Sequence, residues 1–221
     1  MRPTLITIIL FILLLFSCKS NNQIFWEWFS ANQFYLYDYE NNRAKIIADM
    51  QKQLGKVNSF LSFQFGPTRQ DGTRDFIITA NEKLSIFEYV ESLYASAPKL
   101  EKFKIIKFKP IKYPLTDIVY DNIDHDYNNI KISLDDVRFL LAKDNRLGKP
   151  TIILFVINHD NLYEHDRNEI GLIFLEQALG EYDFATNIGR IQFETEKSEY
   201  FKKSIPITEL SKYFDEYLKR K

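Results

Sequence analysis

With a single cysteine, Cys18, the chain can form no disulfide within itself and no multi-thiolate metal site. Its seven glycines are scattered: no G-x-x-x-x-G-K run offers a phosphate loop and no G-x-S-x-G elbow offers a nucleophile turn. Prolines are equally few, and aromatic residues make up 15% of the chain, which excludes a disordered stalk and implies a packed core. Charge of one sign is missing too. Lys plus Arg number 29 against 30 Asp plus Glu, so no strong field exists to attract nucleic acid, and a nucleic-acid partner is not expected. The longest apolar run, Leu5 to Phe16, has 12 residues, well short of the ~20 that a membrane-spanning helix needs.

That run is what the chain does have. It is uncharged, follows Arg2, and ends in Leu15-Phe16-Ser17-Cys18, which has the length and order of a signal-peptide core followed by a processing site. A small residue before a cysteine, with leucine two places earlier, resembles the bacterial lipobox. The resemblance implies that residues 1–17 are removed and that Cys18 is lipidated and becomes the first residue, a use for a thiol with no partner. Two or three acyl chains hold a protein firmly to a membrane without a spanning helix. By resemblance to known lipoprotein sorting rules, Lys19-Ser20 after the cysteine, in place of Asp and with no acidic run following, favours an outer membrane facing the periplasm over the inner membrane or cell surface. An uncleaved anchor, or secretion after a cut near Ser17, are the alternatives. The expected organisation is therefore a signal over 1–17, a short tether over 18–23 and a globular domain over 24–221, in sub-units of about 24–112 and 113–221.

Periodicity predicts the elements. Ile24 to Asp38 fits an amphipathic helix broken near Asn32, and Asn42 to Leu54 a second helix ended by Gly55. Phe60–Phe65 and Arg74–Thr79 alternate as a hairpin, Leu84–Ala97 is helical, and Lys102–Lys109 alternates as a strand with its lysines outward. Short strands at Ile118–Asp121 and Ile130–Ile132 precede longer ones at Val137–Lys143 and Thr151–Asn158. A helix over Arg167–Leu179 with Gly180 as its C-terminal cap follows, then a strand over Ile188–Glu194 and a final helix capped by Thr208. Strand, strand, helix, strand thus occurs twice. The predicted class is α+β, mainly antiparallel sheet with helices on one face, plus N-terminal and C-terminal helices.

Several local motifs, in order, resemble a family of uncharacterised bacterial domains: Phe25-Trp26-Glu27-Trp28-Phe29, Phe63-Gln64-Phe65-Gly66-Pro67, Arg74 to Asn81, Ala97-Pro98-Lys99-Leu100, Phe108-Lys109-Pro110, and Ala178 to Asp183 followed by Ile188-Gly189. The resemblance brings no reaction, cofactor or catalytic residue with it.

Chemistry-bearing residues are sparse. Each of the three histidines precedes an aspartate, and His159, Asp160, His165 and Asp166 flank one strand-to-helix loop, so they are the candidate metal ligands. Asp166 could instead cap the helix that follows it. Glu181 and Asp183 flank Tyr182 and are the candidate acid and base of a catalytic pair or the holders of a cation, or else two solvated loop charges. The basic strand with Lys102, Lys104, Lys107, Lys109 and Lys112 reads as a solvated face or as a surface for an acidic partner or lipid head groups. Apart from the lipid on Cys18, no cofactor is expected. The leading expectation is a lipid-anchored envelope protein with a non-catalytic binding domain and an envelope protein partner. A hydrolase or metal-dependent enzyme built on the loop carboxylates and histidines is the alternative. An aromatic oligomer interface over Phe25–Tyr37 is a third reading.

Overall fold

A computed structural model describes residues 19–122, 124, 127–143 and 148–220. Cys18 and the run before it, the pair His125-Asp126 and most of the turn Asp144–Gly148 lie outside the described residues. The chain divides into two compact units. The first holds the chain up to Ile78 together with Ile86–Lys107; the second holds Thr79–Ser85 and Phe108 onward.

In the first unit, helix α1 (Asn21–Ala31) starts at a capping box, in which the Ser20 hydroxyl accepts from Gln23 N–H and the Gln23 side chain accepts from Ser20 N–H. The folded chain therefore begins inside the segment expected to be a tether. At Asn32 the helix breaks as the periodicity predicts, and α2 (Gln33–Tyr37) follows. Helix α3 (Arg43–Val57) runs through Gly55 instead of stopping there: Leu54 keeps the apolar stripe buried while Gly55 faces open space. Strands β1 (Ser62–Thr68), β2 (Arg74–Thr79) and β3 (Phe103–Lys107) form a sheet with β2 central, and helix α4 (Phe87–Ala95) carries the crossover that makes β3 parallel to β2. Phe25, Trp26 and Phe29 bury against Phe76, with ring centroids 4.6–6.3 Å apart, and the Trp26 indole donates to Leu93 C=O at 2.8 Å. The helix aromatics are core, although Phe34 is exposed.

The second unit repeats this order. Strands β4 (Ile118–Asn122) and β5 (Tyr127–Ile132) pair antiparallel. Strands β6 (Val137–Lys143) and β7 (Pro150–Val156) pair antiparallel, helix α5 (Glu164–Thr186) crosses over, and β8 (Arg190–Phe193) returns parallel to β7. The two-residue strand β9 (Ile205–Pro206) adds to β6, giving the sheet order β8-β7-β6-β9, and α6 (Leu210–Tyr217) closes the chain without a side-chain cap from Thr208. Helix α5 packs Ile170, Phe174, Leu175 and Ala178 into a core with Phe139, Ile152, Leu154 and Phe214. The class is α+β, and each main sheet is mixed because a strand-helix-strand crossover returns the third strand parallel to its neighbour. Central β2 and β7 are buried almost throughout, which is why their sequences, Phe76-Ile77-Ile78 and Ile152-Ile153-Leu154-Phe155, lose the alternation of a half-exposed strand.

Candidate functional site

A cavity of about 500 Å³ opens in the second unit beyond the carboxyl ends of parallel strands β7 and β8. Leu154 and Val156 from β7 and Phe193 from β8 give it an apolar floor. Gly171 shapes that floor. A Cβ there would lie 3.1 Å from Phe193 Cε1 and 3.5 Å from Leu154 Cδ1, so the missing side chain is what lets α5 and β8 approach so closely. Asp160 and Glu164 line the cavity from the loop after β7 and the first turn of α5, and Glu194 and Glu196 from the segment after β8. Against these four acids stand Arg167, whose guanidinium donates to Leu162 C=O at 2.6 Å, and exposed Lys197.

A second polar cluster surrounds Glu181, whose carboxylate is fully buried. It accepts backbone N–H groups from Ala80 (2.8 Å), Glu82 (3.2 Å) and Lys109 (2.9 Å). Burial of a carboxylate is tolerable when its lone pairs are satisfied in this way. The two segments that supply the N–H groups are bent to do so: Asn81, Glu82 and Phe108 all have positive φ. Gly180, at φ 73° and ψ 162°, kinks α5 just before Glu181, and a Cβ on it would come within 2.9 Å of Ile111 N and 3.0 Å of Lys109 O. Gly180 therefore interrupts one long helix instead of ending it. Beside the clamp, Lys109 Nζ bridges Glu82 and Glu176 at 2.8 Å each. Burial, and then a proton shared with Glu82, push the Glu176 carboxyl up to about 7 against the pull of Lys109. This group can take up and release a proton near neutral pH.

The residues singled out from sequence are dispersed. Glu181 is held by backbone donors, whereas Asp183 pairs with the Arg220 guanidinium and accepts from Asn187 Nδ2 at 2.7 Å. Asp166 is buried within the first turn of α5 and does not cap it. Its Oδ1 accepts from Asn122 Nδ2 and lies 2.7 Å from the Tyr120 hydroxyl, which is also 2.7 Å from Glu169 Oε2. Burial and both carboxylates raise the Tyr120 phenol far above its ordinary value. His159 Nε2 sits 3.1 Å from Asp136 Oδ2. His165 is exposed and Asp160 borders the cavity. Among the described residues no group of three or more His, Cys, Asp and Glu is placed to hold a metal ion. The basic strand ends at Lys107, and Lys102, Lys104 and Lys107 meet Glu101, Asp71 and Glu91, which leaves no basic stripe. Sequence reading missed Glu82 and Glu176 because their meeting with Lys109 depends on tertiary structure. Glu164, Glu194 and Glu196 carried a weak signal, since ligands gather beyond the carboxyl ends of strands joined by helical crossovers.

Comparison of the chain with family models, characterised proteins and solved structures finds no match.

Proposed function

We propose that this chain is a lipid-anchored protein of the bacterial cell envelope whose folded part binds a ligand or partner and does not itself catalyse a reaction. The observation that carries this reading is the uncharged run Leu5–Phe16 ending in Leu15-Phe16-Ser17-Cys18. The fold is compatible with it: Ser20 caps the first helix two residues past the cysteine, so a lipid on Cys18 would hold the first unit near the membrane. Among the described residues no helix is long and apolar enough to cross a membrane, so stable attachment rests on residues 1–18. By the same resemblance to lipoprotein sorting rules, Lys19-Ser20 supports the periplasmic face of an outer membrane. Two features support binding over catalysis. The carboxylates that a hydrolase would use, Glu181 and Asp183, are each engaged by other protein groups, while the cavity beyond β7 and β8 has the size and mixed lining of a ligand pocket.

The test is intact-mass measurement and membrane fractionation in a diderm bacterium, comparing the native chain with Cys18→Ala. A detergent-phase product with the mass of residues 18–221 plus lipid, lost in the variant, is expected. An uncut or unlipidated native product would overturn the anchored reading.

A further inference from the structure

Pocket shape and charge together say what kind of ligand the cavity beyond β7 and β8 suits. The side-chain carboxylates of Asp160, Glu164, Glu194 and Glu196 make no hydrogen bond or ion pair among the described residues. Several carboxylates elsewhere in the same unit are engaged, Asp183 by Arg220, Glu82 and Glu176 by Lys109, Asp136 by Asn158 and the Ser133 N–H, whereas these four all face one cavity unpaired. Asp160, Glu164 and Glu196 are exposed, so water screens their mutual repulsion, but four acids against two bases give the cavity mouth a negative field that favours a cation over an anion. The cavity offers little to an anion. Arg167 is turned to the Leu162 carbonyl, Lys197 is outnumbered by the acids, and the positive end of α5 is already offset by Glu164 and Asp166 in its first turn. Beneath the carboxylates lie Leu154, Val156 and Phe193, an apolar floor that a fully hydrated metal ion would not use but an organic body would.

We infer that this cavity binds a small organic cation, an ammonium or amidinium group carried on an apolar body, with the body on Leu154, Val156 and Phe193 and the charge among Asp160, Glu164, Glu194 and Glu196. The inference deepens the binding half of the proposed function and does not depend on the lipid anchor.

A matched series tests it on the full chain purified in detergent: phenethylamine and benzamidine as cations, 2-phenylethanol as the neutral analogue and phenylacetate as the anion, each followed by saturation-transfer NMR and calorimetry. Saturable binding of at least one cation is expected, about tenfold or more tighter than the neutral and anionic analogues, which is about 1.4 kcal/mol. The double variant Asp160→Asn/Glu194→Gln should weaken it by a similar factor. These side chains carry no protein contact that the fold needs; should that variant fail to fold, Glu164→Gln/Glu196→Gln removes two charges from the same walls. Three results each overturn the inference: no saturable binding of either cation up to about 10 mM, a range that already admits affinities weaker than millimolar; equal binding of 2-phenylethanol; or cation binding unchanged when the carboxylates are removed. A lipidated, membrane-bound chain that ignores the cations would sink this inference alone, whereas an unlipidated chain that binds them would sink only the anchored reading.

Discussion

Gly180 is the residue on which the second unit's polar clamp turns. At φ 73° and ψ 162° its backbone lies where only glycine is at ease, and the position of a missing Cβ is occupied by the backbone of Lys109 to Ile111. Gly180→Ala should therefore cost about 3 kcal/mol, the sum of a strained φ and a clash that backbone cannot relieve, measured by chemical denaturation. Glu181→Gln tests the next residue. It removes the acceptor from one or more of three backbone N–H groups and should cost about 1–3 kcal/mol; no loss would mean that the buried carboxylate is not what ties residues 80–82 and 109 to α5. Glu176 makes a pH prediction. Its carboxyl titrates at about 7 in the fold and at the ordinary 4.5 when unfolded, so between those values the folded chain holds a proton that the unfolded chain has lost. Stability from this group is fully present below pH 4.5 and falls as pH rises to about 7, by on the order of 1 kcal/mol once solvent access is discounted. Glu82, whose carboxyl is lowered, acts below that window, and Lys109, whose ammonium is raised, acts far above it. Denaturation at pH 5, 6, 7 and 8 should show the decline in the native chain and a flatter profile in Glu176→Gln.

At the scale of elements, Gly55 separates what pattern reading can see from what it cannot. A glycine after Leu54 looks like a helix end, yet Val57 and the backbone bond from Asn58 N–H to Leu54 C=O carry α3 one more turn. Nothing lies within 4 Å of where its Cβ would be, so Gly55→Ala should raise stability by about 0.5–1 kcal/mol through helix propensity alone. Thermal unfolding of the variant checks this, and a lower midpoint would mean that the glycine serves some contact in the native chain. The same contrast explains which parts of the fold were legible. Helix stripes such as Ile46, Met50 and Leu54, the break at Asn32 and the twofold strand-strand-helix-strand order are local, and sequence displays them. The parallel pairing of β2 with β3 and of β7 with β8 is not local, since a strand's composition does not state its partner's direction. Sites suffered more than elements. Glu181 drew attention as one of two charges beside a tyrosine, but its role is to hold the bent segments at 80–82 and 109, whose positive φ values no periodicity announces. Asp166 sits at a helix start, as a cap would, and is turned instead to Tyr120 and Asn122 of β4, more than forty residues earlier.

Over the whole molecule, the question is what could hold this chain to a membrane. Its formal net charge is −1, and the lysines of the basic strand face carboxylates, Lys104 on Asp71, Lys107 on Glu91 and Lys109 on Glu82 and Glu176. Each basic side chain near an anionic surface contributes only about 1 kcal/mol and loses most of it within a Debye length, so a neutralised strand cannot act as an electrostatic anchor. Phe34 and Tyr113 are exposed, as apolar side chains commonly are on folded surfaces. On the proposed reading attachment comes from residues 1–18, and hydrophobic attachment is indifferent to salt while electrostatic attachment is not. Membranes carrying the native chain, washed in about 1 M salt, where the Debye length shrinks to about 3 Å, should retain it and release it only to detergent. The Cys18→Ala chain separates the two hydrophobic options, because a lipid anchor disappears with the thiol and an uncut apolar helix does not. Release of the native chain by salt would show that charge does the holding, and would direct attention away from Cys18 to surfaces whose ion pairs must then open at the membrane.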